Sequence, residues 1–132
     1  MRPQITENKA RGNLGERAAA RYLRRRLYRI LERNWFYYHK EVDIIARRGD
    51  MLVICEVKTR SQDESSPYGP ASRAVDAAKQ KNLLVAARGY ARRIGWQKSI
   101  RMDVIEVYLS KKADGKRPAV KRIVHIKNAF TA

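Results

Sequence analysis

The sequence is poor in the residues that form disulfides and zinc sites. Its 132 residues include one cysteine, Cys55, and two histidines, His39 and His125. A single cysteine excludes a disulfide within the chain, and this residue set excludes the usual tetrahedral zinc site. Cys55 ends the apolar run 51–55, so we expect a buried thiol. The two histidines stand isolated in the sequence, and we assign them no role.

Long apolar stretches are also missing. No uninterrupted run approaches the roughly 20 residues that span a bilayer. Neither a signal-peptide pattern nor a lipidation motif occurs. We therefore expect a cytoplasmic protein without a membrane partner. The length fits one domain over residues 1–132, with residues 1–8 as a loose N-terminal arm.

Acidic residues are scarce relative to basic ones. Lysines and arginines number 30 against 13 aspartates and glutamates, which gives a formal net charge of +17. Phosphate backbones bind clustered cations largely by releasing condensed counterions, so a polyanion is the natural partner. An anionic membrane is the competing polyanion, but no anchoring feature supports it. We expect nucleic acid.

Hydrophobic periodicity and turn residues predict two helices and five strands. The helices are expected over 13–27 and from an N-cap at Ser72 to about Gly95, with a bend or break at Gly89. The strands are expected over 28–34, 41–46, 51–59, 101–109 and 120–126, with a polar loop over 61–70 and a turn at Asp114 and Gly115. The order α-β-β-β-α-β-β predicts an α/β fold with helices flanking a mixed central sheet.

Charged residues interrupt two of the predicted apolar strands. Residues 51–57 are apolar on both faces, as in a covered central strand, yet Glu56 and Lys58 share one side. Burying unpaired charge is costly. Asp43 interrupts the strand over 41–46 in the same way. If the two strands form a hairpin, plausible registers place Asp43 and Glu56 opposite each other or nearly so.

The expected proximity of Asp43 and Glu56 favours a metal ion between them. Two facing carboxylates repel each other unless a cation bridges them. Mg²⁺ fits, because one or two carboxylates, waters and substrate phosphates complete its octahedral shell. Lys58 would then orient the nucleophile and stabilise charge on the phosphoryl oxygens. The competing interpretation is that Glu56 and Lys58 end an exposed strand and pair with each other or with neighbours.

Several motifs taken together resemble one known family. They are Gly12-x-x-Gly15-Glu16-x-Ala18-Ala19 with Tyr22-Leu23, Asn34, Glu41-Val42-Asp43-Ile44-Ile45-Ala46, Glu56-Val57-Lys58-Thr59-Arg60, Val75 with Lys79, and Arg101-Met102-Asp103-Val104-Ile105. Over nearly the whole chain, the sequence resembles the YraN-type family of predicted endonucleases. That family is distantly similar to archaeal Holliday-junction resolvases within the restriction-endonuclease-like PD-(D/E)xK superfamily. The sequence departs from the family pattern at Met102, where an aromatic residue is common, and at Lys40, where glycine is common.

The resemblance implies a restriction-endonuclease-like fold and metal-dependent hydrolysis of nucleic-acid phosphodiester bonds, with structured or branched DNA as the expected substrate. It implies that Asp43 and Glu56 bind Mg²⁺ or Mn²⁺ and that the Val57 carbonyl adds a ligand. Lys58 would serve the attacking water, and Glu16 would complete the site. The alternative for Glu16 is a solvated side chain favoured by the helix dipole.

Other residues are expected to contact nucleic acid or to stabilise the fold. The candidate phosphate contacts are Arg17, Arg21, Arg24, Arg60, Arg73 and Lys79. The aromatic run 35–38 could stack on unpaired bases, although we expect core packing for at least half of it. Asp103 is expected to be a buried partner of Arg101, and Glu41 a carboxylate flanking the site.

Two other functions are compatible with the sequence. One is a catalytically inactive nucleic-acid-binding module with the same fold. The other is a basic RNA-binding or ribosome-associated protein, which explains the charge but not the acids inside apolar strands. A homodimer is expected by analogy alone.

Overall fold

The structure is a computed structural model that describes residues 7–63, 76–111 and 117–131. The helices are α1 (Glu7–Arg25) and α2 (Ala77–Ile94), and the strands are β1 (Arg29–Tyr37), β2 (Lys40–Arg48), β3 (Met51–Ser61), β4 (Ser99–Leu109) and β5 (Val120–Ile126). The predicted element order and the mixed α/β architecture are confirmed. Within the described ranges, no helix is long and apolar enough to cross a bilayer.

Some predicted boundaries are wrong, and others lie outside the described residues. Helix α1 begins at Glu7 rather than near Asn13, because good helix formers precede the apolar stripe. Asp76 caps α2, and its side chain accepts a hydrogen bond from the Lys79 N–H at 2.8 Å. Outside the described residues lie positions 1–6 of the predicted arm, positions 64–70 of the predicted loop, Ser72, Arg73, Val75, Asp114 and Gly115.

The five strands form one sheet in the order β1-β2-β3-β4-β5. All neighbouring strands are antiparallel except β3 and β4, which run parallel. A parallel pair needs a long crossover connection, and α2 lies in it. The hairpin of β2 and β3 pairs Ile44 with Cys55 and Arg47 with Leu52. This is the register in which Asp43 and Glu56 come opposite.

The two helices cover opposite faces of the sheet. On β3, Leu52 and Ile54 pack with α2, whereas Val53 and Cys55 pack with α1. This central strand is therefore buried on both faces, as its apolar pattern predicts. The expected burial of the Cys55 thiol is confirmed. Beyond Cys55, the charged residues Glu56, Lys58 and Arg60 continue β3 on the face that carries Leu52 and Ile54, the α2 side.

A glycine lets α2 approach the end of β1 closely. A Cβ atom added at Gly89 would collide with the Tyr37 ring. Helix α2 continues through Gly89 without interruption, so the predicted bend or break is wrong. The residue serves packing rather than a change of helix direction.

Gly89→Ala is expected to lower the free energy of unfolding by about 1–3 kcal/mol, because the added methyl group overpacks the contact with Tyr37. Gly12→Ala is the matched control, since Gly12 also lies inside a helix but a Cβ there meets nothing within 4 Å. The control is expected to gain about 0.5–1 kcal/mol from helix propensity. Urea denaturation measures both, and equal shifts would contradict the packing role.

A buried polar network joins α1, β4 and β5. Asp103 is 1% exposed and accepts two hydrogen bonds of 2.8 Å from Arg101. His125 Nε2 lies 2.6 Å from the same carboxylate, and the Tyr22 hydroxyl lies 3.2 Å from His125 Nδ1. The expected pairing of Asp103 with Arg101 is confirmed, whereas the view of His125 as isolated is wrong. Pairing across β4 and β5 places His125 beside the network.

The network also fixes the charge state of its carboxylate. Burial alone would raise the pKa of Asp103, but hydrogen bonds from His125, Arg101 and the Asn128 N–H outweigh burial and lower that pKa. Arg101 donates a further hydrogen bond of 2.8 Å to the Tyr28 hydroxyl. Asp103 is therefore a satisfied structural anion.

Candidate active site

The β2–β3 hairpin opens at Asp43. The last pair of the ladder is Ile44 with Cys55, and at the next step the Val57 N–H donates to Asp43 Oδ2 at 2.8 Å. The Asp43 carboxylate thus accepts the hydrogen bond that a backbone carbonyl of the neighbouring strand would accept in a regular ladder. Its carboxylate lies between the two strands at one end of the hairpin.

A local break in strand alternation produces this opening. Ile45 and Val42 both pack on the α2 side of the sheet, whereas Ile44 packs on the α1 side. Strict alternation would place Val42 with Ile44. In β1, Asn34 stands across from Asp43, between the flanking registered pairs, and has a left-handed φ of 51°. The twist of both strands here turns Asp43 out of the regular pleat.

Glu56 meets Asp43 from β3. Its side chain is buried, with 5% of the residue exposed, and lies close enough to Asp43 to raise the pKa of that carboxyl group. Burial raises the pKa of Asp43 to about 8, with further contributions from the hydrogen bond and charge of Glu56. The Val57 N–H and the Lys79 charge oppose this rise. With this pKa, Asp43 retains its proton at neutral pH unless another cation replaces it.

One oxygen of Glu56 lacks a hydrogen bond. Lys79 Nζ on α2 lies 3.4 Å from Glu56 Oε2, which makes an ion pair. The contact does not have hydrogen-bond geometry, and among the described residues Glu56 Oε2 is a buried acceptor without a donor. Buried carboxylate oxygens normally have hydrogen-bond partners. An acceptor of this kind beside a second carboxylate is suited to a small cation.

Glu16 approaches the pair from the opposite helix. Burial raises the pKa of Glu16, and the charges of Asp43 and then Glu41 add to the rise, while Arg33 opposes it. Helix α1 comes close to β3 here, because a Cβ at Gly15 would collide with Thr59. Asp43 therefore stands between Glu56 on the α2 side and Glu16 on the α1 side.

The carboxylates do not form a closed metal cage. Among the residues that the structure describes, no group of three or more His, Cys, Asp or Glu side chains is arranged to hold a metal ion. Mg²⁺ usually takes only one or two protein carboxylates and completes its shell with water and substrate oxygens. The donor set of Asp43 and Glu56 fits such an open site.

Lys58 lies one pleat beyond Glu56 on the same face of β3. It is half-buried and in register with Glu106 on β4. Glu106 is 0% exposed, and its Oε2 lies 3.8 Å from Arg60 Nε. We did not select Glu106 from the sequence, although it interrupts an apolar strand just as Asp43 does. Its buried carboxyl group lies beside Arg60, on the face of the sheet that also carries Lys58.

The other predicted phosphate contacts are spread over two helices. Arg17, Arg21 and Arg24 are exposed on α1, as expected for an outward face. Lys79 is partly exposed beside Glu56, so it belongs to the carboxylate site as well as to the basic surface. Arg73 lies outside the described residues. Contact of these cations with nucleic acid stays a prediction.

Asp43→Asn is expected to stabilise the metal-free protein at pH 8 by about 1–3 kcal/mol. Because the folded-state pKa of Asp43 is raised to about 8, the wild-type fold retains a proton that the unfolded chain releases above pH 4. The resulting penalty is absent below about pH 4 and grows as the pH rises towards 8. Urea denaturation in the presence of a chelator, at about pH 4 and at pH 8, measures the difference in unfolding free energy between the variant and the wild type. A variant destabilised equally at both values would contradict the burial of a protonated Asp43.

Comparison with known proteins identifies the family. The sequence model of the "Uncharacterised protein family UPF0102" matches residues 15–107. The chain belongs to UPF0102. Glu16, Asp43, Glu56 and Lys58 all lie within the matched range. The family assignment agrees with the YraN-type resemblance seen in the motifs.

Relatives across several bacteria match most of the chain. A UPF0102 protein of Acetivibrio thermocellus is 43% identical over 125 residues, covering 92% of each chain. A UPF0102 protein of Geobacter metallireducens is 41% identical over 124 residues, covering 93% of each chain. One from Porphyromonas gingivalis is 39% identical over 126 residues, covering 96% of this chain and 87% of its own. These UPF0102 proteins have nearly the same length as this chain.

Proposed function

We propose that this UPF0102 chain is a metal-dependent nuclease of the restriction-endonuclease-like class that hydrolyses phosphodiester bonds of structured or branched DNA. The observation that carries the proposal is the buried meeting of Asp43 and Glu56 at the opened hairpin. Two buried carboxyl groups in contact, with one oxygen lacking a hydrogen bond, form a poor structural element and a suitable cation site.

Each residue of the site has a distinct role in this proposal. Asp43 and Glu56 hold Mg²⁺ or Mn²⁺, with the Val57 carbonyl as a further ligand. When bound, the ion supplies Lewis acidity and lowers the pKa of a coordinated water. Lys58 orients the attacking water and balances negative charge on the phosphoryl oxygens. Glu16, on the α1 side, completes the acidic site.

The basic surface holds the substrate. With a net charge of +17, the chain neutralises several phosphates of the substrate in addition to the phosphate at the cleaved bond. Arg17, Arg21 and Arg24 form an exposed face on the helix that also carries Glu16. Binding is therefore expected to weaken steeply with salt, whereas sequence preference has no evident source in this surface.

One observation favours a second candidate, a binding module without turnover. Lys79 forms an ion pair with Glu56, and its charge opposes the rise in the pKa of Asp43. It therefore supplies part of the positive charge that a metal would bring. A permanently retained lysine would block the ion. The partial exposure of Lys79 favours displacement instead, because an exposed ammonium regains its hydration on leaving.

A cleavage panel distinguishes the two candidates. The substrates are single-stranded, linear duplex, nicked, flapped and four-way DNA together with structured RNA, each incubated with Mg²⁺, with Mn²⁺ or with a chelator. The nuclease proposal expects cleavage of at least one branched substrate that the chelator abolishes. Salt-sensitive binding without cleavage of any substrate would support the binding module and overturn the nuclease.

A further inference from the structure

Two aromatic rings project from the tip of the β1–β2 hairpin. Phe36 is 57% exposed and Tyr38 is 79% exposed. Their neighbours Trp35 and Tyr37 instead pack against the core on the α2 side, where Trp35 contacts Tyr90 edge-on. The expectation that about half of this aromatic run packs in the core is therefore confirmed. Of the exposed pair, Tyr38 packs edge-on against the Tyr37 ring with 4.7 Å between ring centroids, and both Phe36 and Tyr38 leave more than half of their surface exposed.

The backbone at Tyr38 makes this exposure costly. Tyr38 has a φ of 57°, in the left-handed region that large side chains rarely adopt. The turn thus places its left-handed residue at Tyr38 and not at Lys40, where the YraN-type pattern commonly has glycine. A glycine at position 38 would relieve the strain. Leu27 shares this exposure and left-handed φ, so the features that point to a function at Tyr38 are its aromatic ring and its place at the hairpin tip near Phe36.

The hairpin tip adjoins the carboxylate site. Phe36 pairs with Glu41 across the hairpin, and the Glu41 charge raises the pKa of Glu16. Trp35 and its partner Val42 face α2, so Phe36 and Glu41 face the α1 side, where Glu16 lies. Arg33, whose charge reaches Glu16, is exposed on the same strand. Phe36 and Arg33 therefore lie at the rim of the site, and Tyr38 follows at the adjoining hairpin tip.

We propose that Phe36 and Tyr38 are a stacking platform for the unpaired bases of a nucleic-acid strand at this site. Every base has a π face, so aromatic side chains hold single strands without reading their sequence. Duplex bases are already stacked and cannot use such rings. The high positive charge favours a polyanion over a second, equally basic copy of this chain. That the bound strand is also the substrate rests on the proposed nuclease function.

The test compares Tyr38→Gly and Phe36→Ala with Leu27→Gly. Leu27 is the matched control, because it is 83% exposed, has a left-handed φ of 68° and lies before the start of β1, at the other end from the tip. Fluorescence anisotropy in the presence of a chelator measures the affinity of the 132-residue chain for a labelled 20-nucleotide single strand and for the matched blunt duplex. This strand is longer than the roughly 4–16 nucleotides that one single-strand-binding fold covers.

The platform predicts that Tyr38→Gly and Phe36→Ala each weaken single-strand binding roughly tenfold and leave duplex binding unchanged, as for the loss of one stacked base. Leu27→Gly is expected to change neither. Unchanged single-strand affinity would overturn the platform, and so would equal losses on both probes. Sedimentation velocity measures self-association of the same variants. A variant that changes only the oligomeric state, and not single-strand affinity, would also overturn the platform.

The fold of the variants can be checked independently. Tyr38→Gly relieves the left-handed strain but removes the edge-on contact with Tyr37, so its urea midpoint should stay close to that of the wild type. Because binding is measured without metal, failure of the platform leaves the nuclease proposal standing. Conversely, an absence of cleavage with a selective loss of single-strand binding would reject the nuclease and retain the platform.

Discussion

Glu56→Ala and Asp43→Ala are each expected to lower the cleavage rate at least about a thousandfold, because losing a metal ligand removes several kcal/mol of transition-state stabilisation. The two side chains meet at the opened hairpin, so removing either should have nearly the effect of removing both. Single-turnover cleavage of the best branched substrate at saturating protein measures the chemical step.

Asp50→Ala provides the matched control for these variants. Asp50 is an exposed acid in the turn of the same hairpin, paired with Lys98 at 2.9 Å. Its replacement should leave cleavage unchanged. All three variants should retain salt-dependent DNA binding, which depends on the arginine and lysine surface. Undiminished cleavage by both Asp43→Ala and Glu56→Ala would contradict the site assignment.

Asp103→Ala is expected to cost about 3–5 kcal/mol of folding free energy, because it leaves the partly buried Arg101 guanidinium and the buried His125 ring without their anion. Asp103 is fully buried and accepts hydrogen bonds from both side chains and from the Asn128 N–H. Urea denaturation measures the loss. Asp50→Ala, whose ion pair is on the surface, should change the midpoint little.

The Asp103 result also separates structural from catalytic acids. The network lies in the core on the α1 side of β4, where Asp103 is in register with Cys55, whereas the neighbouring Glu56 faces α2. Asp103→Ala protein that remains folded at low temperature should therefore cleave at nearly the wild-type rate. A large loss of cleavage in folded protein would show that the network takes part in the chemistry.

The register of the site was predictable from the sequence because it is local. Gly49 adopts a left-handed φ of 58° in the tight turn, and a two-residue connection leaves the hairpin little choice of register. That register brings Asp43 to Glu56. The burial of β3 on both faces also follows from its own apolar pattern. Both features depend on residues close together in the chain.

The partners supplied by distant elements were not predictable in this way. Nothing in the spacing places Lys79 against Glu56, because the approach of α2 depends on the packing of Gly89 on Tyr37. The contact of His125 with Asp103 requires the pairing of β4 with β5. Glu106 shares the pattern that singles out Asp43, but only the structure shows Arg60 beside it.

Calorimetric titration of Mn²⁺ tests the central claim most directly. At pH 7, with a non-hydrolysable oligonucleotide present, repeated titrations in buffers of different ionisation enthalpy give the number of protons released. Since the pKa of Asp43 is about 8, wild-type protein should release about one proton per bound ion and bind more tightly as the pH rises. Asp43→Asn and Glu56→Gln should bind far more weakly. Equal Mn²⁺ affinity in the wild type and both variants would show that the two carboxylates do not hold the metal.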